Sequence, residues 1–191
     1  LDAQDLFDTY TFGAKSDLDL SGVKLGVDAR YASLTLDSAD DANSMAKIAL
    51  TAKAGIVNGK LAYAMTDKDG GLTALDQDAK NTSLGWKITS NGIADAKYFQ
   101  AALGADILDN LNFTAHYGKL KADGTDAGRT TLSSALVTDE ELKQQEVYGQ
   151  LTYKMSKNLT TYLRYGTFEE KIGGNKTADQ DSGRIQVAYT F

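Results

Sequence analysis

His116 is the only histidine in this 191-residue chain, and there is no cysteine. Thiolate nucleophiles, disulfides and cysteine-ligated metals are therefore excluded. A histidine-based triad would have to be built on that one imidazole. His116 lies between Thr114 and Gly118 on the polar side of an alternating run, and no serine near it has a nucleophile context. No catalytic set can be assembled, and the chain reads as a non-enzyme. Gly70-Gly71 and Gly173-Gly174 lack the strand-to-helix setting of a phosphate loop and read as loop punctuation.

Two further groups of residues could do chemistry. Asp67, Asp69, Asp76 and Asp78 alternate in Gly-containing stretches and could offer the hard oxygen ligands that calcium prefers, although no complete loop with a bidentate Glu is present. The competing reading is a solvated acidic loop, as for Asp37, Asp40 and Asp41 and for Asp179 and Asp181. Arg30, Lys53, Arg164 and Arg184 sit, like His116, on the polar sides of alternating runs. Cations in such positions could line an aqueous passage and set its ion preference, or could neutralise acidic neighbours such as Asp28. No other cofactor is implied.

The elements that must position these residues alternate with a period of two. In Val23-Lys24-Leu25-Gly26-Val27-Asp28-Ala29-Arg30-Tyr31 the odd positions are apolar. Ala46, Ile48, Leu50, Ala52, Ala54 and Ile56 repeat the pattern, and Leu61, Tyr63 and Met65 resume it beyond Asn58-Gly59. That dipeptide is a strong hairpin signal, and it places the expected turn between Val57 and Lys60. A second hairpin pairs the Phe99–Ile107 face with Leu111–Tyr117 through Leu108-Asp109-Asn110. A third joins Val147–Met155 to Leu159–Tyr165 through Ser156-Lys157-Asn158. Gly183–Phe191 is a final strand, and Tyr10, Phe12 and Ala14 mark a weaker first one.

Long polar stretches separate the hairpins: Asp37–Ser44, Lys68–Thr82, Ala122–Gln145 and Glu169–Ser182. Thr138–Gln144 reads as a short capped helical turn. Tight turns thus alternate with long loops, the asymmetry of outer-membrane barrels. Ser83–Thr89 looks like a strand, yet counting it breaks the up-and-down parity. It is read instead as part of a long extracellular or inward-folded loop. About nine membrane strands remain, half of a barrel of roughly 18 strands with an aqueous channel.

Composition agrees with that reading. The net charge of −6 argues against nucleic acid as a partner. No run approaches the roughly 18 apolar residues of a transmembrane helix, but a barrel needs none. Apolar faces carry aromatics near the strand ends, including Tyr31, Tyr63, Tyr117, Tyr153 and Tyr165, as at a membrane interface. Leu1 is neither an initiator Met nor part of a signal region, which suggests a processed or truncated polypeptide.

Ile185, Val187, Tyr189 and Phe191 resemble the C-terminal insertion signal of outer-membrane proteins, which implies recognition by the barrel-assembly machinery. Leu103-Gly104-Ala105-Asp106-Ile107-Leu108-Asp109-Asn110-Leu111 and the Ala-rich, proline-free strands resemble the epsilonproteobacterial major outer membrane porins. That resemblance implies a large homotrimeric barrel in outer-membrane lipid, passing ions and small hydrophilic solutes. The expectation is one all-β domain over residues 1–191, the C-terminal half of an antiparallel transmembrane β-barrel porin. Two alternatives stand beside it: a small closed barrel of about eight to ten strands with a structural or adhesive role, and a soluble β-sandwich binding protein.

Overall fold

A computed structural model describes residues 7–36, 42–68, 85–123, 129–131, 134–136 and 140–191. Eleven strands occur among them: β1 (Phe7–Leu20), β2 (Val23–Leu36), β3 (Ala42–Ala54), β4 (Val57–Thr66), β5 (Ala96–Leu108), β6 (Leu111–Ala122), β7 (Arg129–Thr131), β8 (Ser134–Leu136), β9 (Leu142–Lys154), β10 (Leu159–Ile172) and β11 (Asn175–Tyr189). Nine form one antiparallel meander in chain order, and β7 and β8 pair separately as a small hairpin. No helix of the described residues is long and apolar enough to cross a membrane.

Burial is inverted relative to a water-soluble sheet. The apolar set, here called the outer face, is the exposed one: Leu50 is 47% exposed, Leu163 50% and Ile185 74%. The other face, here the inner one, buries polar side chains, with Gln100 at 1% and Glu146 at 2%. A soluble β-sandwich would bury the apolar set instead. An apolar surface running across nine strands needs lipid around it rather than water.

Register explains why the faces stay coherent. Leu50 lies opposite Leu61 and Ile48 opposite Tyr63, while Leu151 lies opposite both Phe113 and Leu163. The hairpin expected at Asn58-Gly59 turns earlier, at Gly55-Ile56, so Asn58 and Gly59 lie inside β4 opposite Lys53 and Ala52. Gly55 takes a φ of 56°, which a glycine adopts at no steric cost. Glu169–Ser182 is not a loop either: β10 and β11 run on to a two-residue turn at Gly173-Gly174, whose φ angles of 57° and 84° suit a type I′ hairpin. Residues 142–144 of the expected helical turn belong to β9, and Thr138 and Asp139 lie outside the described residues.

At the end of the sheet opposite the Gly55-Ile56 turn, one outer-face row holds Lys97, Lys121, Lys143, Lys171 and Lys176 on successive strands. Carboxylates interleave with them: Lys97 with Asp95 and Asp123, Lys121 with Asp123 and Glu141, Lys143 with Glu141, and Lys176 with Glu169 and Asp179. Asp123 and Glu141 lie outside the strands. Hydrogen bonds from Lys121 hold both carboxyls below their ordinary range, and Lys143 adds to the effect at Glu141.

Arg at Leu50 or Leu163 should cost roughly 2–4 kcal/mol in lipid, whereas Arg at the inner-face Thr51 should cost much less. Reversible unfolding in lipid or detergent measures the difference. Equal costs at all three positions would mean that the faces are misassigned.

Candidate pore wall and inward-folded segment

Segment 85–95, which joins β4 to β5 beyond residues outside the description, folds onto the inner face. Its parity-breaking residues are not a strand. Ile88 and Ile93 are buried against Ala64, Ala96, Tyr98, Leu120, Ala122 and Leu142, with Phe168 and Ile172 at the margin. This cluster packs the segment onto β4, β5, β6, β9 and β10. Period-two alternation gives way at Leu120, Ala122 and Leu142, where the inner face becomes apolar to receive it.

Hydrogen bonds fix both described ends of the segment. Thr66 Oγ1 donates to the Ile93 carbonyl at 2.6 Å and accepts the Ala96 N–H at 2.8 Å. The Asp95 N–H donates to the Asp67 carbonyl at 2.6 Å. At the other end, the N–H groups of Trp86 and Lys87 donate to the two carboxylate oxygens of Glu146 at 3.0 and 2.8 Å. Tyr98 OH donates to the Ile88 carbonyl at 3.3 Å, and Lys87 Nζ donates to Gln180 Oε1 at 2.9 Å.

Trp86 meets an aromatic and cationic patch on the wall. Its ring stands edge-on to Tyr148 at 5.6 Å, and Tyr148 stacks on His116 at 4.3 Å. The Arg164 guanidinium lies over Trp86, Tyr148 and Tyr162 at 5.2, 4.9 and 5.2 Å, while Arg184 reaches Trp86 at 6.0 Å. Arg164 also donates from Nε and Nη2 to Gln150 Oε1. Cation–π contacts on three rings hold the guanidinium in place without neutralising it.

The expected wall residues divide into two groups. His116, Arg164 and Arg184 come together around Trp86. Arg30 pairs instead with Asp28, in space that Gly13 leaves open opposite it: a Cβ there would stand 2.2 Å from Nη1. Lys53 pairs with Asp106 at 2.8 Å. Sequence reasoning singled out the stretch containing Trp86 but not its place on the wall, and it missed Glu146, Tyr148 and Tyr162. A charged Glu on the inner side of β9 and the parity-breaking tryptophan were the available signals.

Cross-strand register adds a pattern that spacing alone does not reveal. Lys24, Lys53, Asn58, Gly104, Thr114, Gln150, Arg164 and Arg184 form one continuous inner-face row from β2 to β11. Four of these eight are cations. A hollow of about 520 Å³ follows the row near Asp17, Lys24, Lys53, Asn58 and Lys60. A larger hollow of about 770 Å³ opens among the outer-face residues Leu25, Leu50, Leu61, Leu103 and Val147, and Lys60, His116 and Tyr117 also border it.

Of the four candidate calcium ligands, Asp69, Asp76 and Asp78 lie outside the described residues. The Asp67 carboxylate accepts hydrogen bonds from both the backbone N–H and the hydroxyl of Ser44. Among the described residues no group of three or more His, Asp or Glu side chains could hold a metal ion.

No protein-family description and no curated protein sequence matches the chain. Solved structures do. The outer membrane protein OprD from Pseudomonas aeruginosa superposes with a TM-score of 0.74 at 18% identity, over 97% of this chain and 52% of that one. The fold is half a porin barrel. Pseudomonas aeruginosa OpdL gives 0.74 at 20% identity, over 97% and 51%. A BenF-like porin from Pseudomonas fluorescens gives 0.73 at 14%, over 98% and 49%. The chain thus spans about half the length of the porins it matches. At these identities the likeness is one of fold.

Ile88→Ala and Ile93→Ala should each weaken docking of the segment by about 2–5 kcal/mol. Limited proteolysis of the folded protein should then cut within residues 85–95 while the strands stay protected. Unchanged protection in both variants would mean that the apolar cluster does not hold the segment.

Proposed function

We propose that this chain is part of an outer-membrane porin that passes ions and small hydrophilic solutes by passive diffusion. One observation carries the proposal: a sheet with an exposed apolar face bears, on its polar face, an inward-folded segment beside a cationic row. An apolar outside and a charged inside suit a wall between lipid and water. A segment resting on the inside narrows the passage without blocking it, and the cations beside it act on whatever passes.

β1 and β11 each have one partner strand, and their outer edges are unpaired among the described residues. Backbone groups facing hydrocarbon must be hydrogen-bonded. Further strands must therefore meet both edges, which favours a barrel of roughly 18 strands over a small closed one and gives a lumen wide enough for water. Residues 1–191 form one domain of that barrel. Arg30, Lys53, His116, Arg164 and Arg184 line it, with the charge of Arg30 largely offset by Asp28.

The finer assignment is to the epsilonproteobacterial major porins, supported by Leu103–Leu111 and the proline-free strands. Homotrimeric assembly goes with that assignment. Ile185, Val187, Tyr189 and Phe191 form an exposed apolar row, with Tyr189 and Phe191 in edge contact at 5.2 Å. Such a row offers the barrel-assembly machinery a continuous apolar strip.

Full-length protein reconstituted in planar bilayers should show stepwise, ohmic conductance. Arg164→Glu with Arg184→Glu should move its ion preference toward cations, because the pair sits on neighbouring strands of the cationic row. Correctly folded protein that forms no channels would end the porin reading. Channels with unchanged preference would keep the porin and remove these two arginines from its selectivity.

A further inference from the structure

We infer that Glu146 is the positioning residue that fixes how far segment 85–95 projects into the lumen, and so sets the bore of the channel. The inference rests on the porin reading for its functional consequence, and on geometry alone for the anchoring.

The two ends of the segment are held by different chemistry. The Ile93 end is tied to β4 by one hydroxyl that donates and accepts, together with a backbone bond to Asp67. These contacts carry no charge. At the Trp86 end one carboxylate takes two successive backbone N–H groups, one on each oxygen, beside the side-chain contacts that Trp86 and Lys87 make with the wall. Only a carboxylate can accept at both positions: an amide offers one oxygen and turns its NH2 toward the second N–H. Charge-assisted bonds of this kind are stronger than neutral ones.

Two glycines build the cradle around that carboxylate. A Cβ on Gly118 would stand 3.1 Å from Glu146 Cγ and 3.3 Å from Tyr98 OH. A Cβ on Gly85 would stand 2.3 Å from Tyr98 OH and 3.2 Å from Glu146 Oε1. A Cβ at Gly118 would make Glu146 and Tyr98 give way by a few tenths of an ångström, and one at Gly85 would also collide with the segment's own Ile88 carbonyl at 2.2 Å. Gly118 is also the cross-strand partner of Glu146, which leaves the wall flat where the segment touches it.

Loss of this anchor should free the Trp86 end while the Ile93 end stays tied, so the segment swings from the Thr66 side. Trp86 would then leave Tyr148 and Arg164, and the lumen beside the cationic row would widen. Losing one charge-assisted hydrogen bond should raise the released population by about tenfold, the equivalent of 1.4 kcal/mol.

The test uses the full-length barrel and two readouts. Trp86 is the only tryptophan within the 191 residues; if the full-length protein has others, they are first replaced. Acrylamide quenching in detergent then reports release without any need for conduction, and unitary conductance in planar bilayers reports the bore. Glu146→Gln should increase both quenching and conductance, whereas Glu169→Gln, which disturbs the outer-face ion pairs with Lys171 and Lys176, should change neither. Gly118→Ala keeps the carboxylate but crowds it and should act in the same direction, so it serves if Glu146→Gln does not fold. A folded Glu146→Gln or Gly118→Ala variant with parental quenching and conductance overturns the inference. Raised quenching with parental conductance keeps the anchor but overturns its control of the bore. A parent that forms no channel overturns the porin reading and the bore together, and quenching then decides the anchor by itself.

Discussion

When one face of a sheet meets an apolar medium and the other meets water, a slip of one residue between neighbouring strands exchanges the two faces. Every feature of the inner wall depends on that not happening across eight successive strand pairings. The paired outer-face side chains supply the penalty. Moving Leu50 off Leu61, or Leu151 off Phe113 and Leu163, would turn Lys and Gln toward the apolar side. The alignment of Lys24, Lys53, Arg164 and Arg184 along one row follows from the same register, because each pairing passes its phase to the next strand.

The segment folded on the inner face forms a small apolar core like that of a water-soluble protein, larger than the other buried cluster of the described residues, Ala32 with Met45. Ile88 and Ile93 find apolar partners because Leu120, Ala122 and Leu142, together with Ala64, Ala96 and Tyr98, depart from the polar pattern of their face. Glu146 and Thr66 then satisfy backbone groups that would otherwise lie unpaired in a crowded site, and unpaired buried groups are costly. Apolar packing supplies attraction without direction, while the hydrogen bonds at each end supply direction. The cationic patch uses a third device: rings of Trp86, Tyr148 and Tyr162 hold Arg164 in place while leaving its charge available.

Alternation made the strands and both faces legible in the sequence, from Val23–Tyr31 through the run ending at Tyr189. It could not locate the second turn. Turning at Gly55-Ile56 or at Asn58-Gly59 leaves the same residues on the same faces, so a period-two signal does not distinguish them. The extension of β10 and β11 was hidden for another reason. Beyond the apolar band the outer face turns to charge, and pairings such as Glu169 with Lys171 and Lys176 carry no periodic hydrophobic signature. Glu146 was visible as a charge on the inner side of β9, but its role was illegible because its partners are backbone groups 59 and 60 residues away. The inward path of the Trp86 segment was half legible, through the parity that it would have broken.

The row of Lys97, Lys121, Lys143, Lys171 and Lys176 has a consequence for placement. These ammonium groups and their carboxylate partners stand on five neighbouring strands, farther from the tight Gly55-Ile56 end than the outer-face aromatics Phe99, Tyr117 and Tyr165. Sinking the wall would draw the charged fence toward hydrocarbon on all five strands together. Lifting it would bring apolar side chains into water along the same front. The protein thus carries its own waterline, drawn across separate strands by residues far apart in the chain and brought level only by folding.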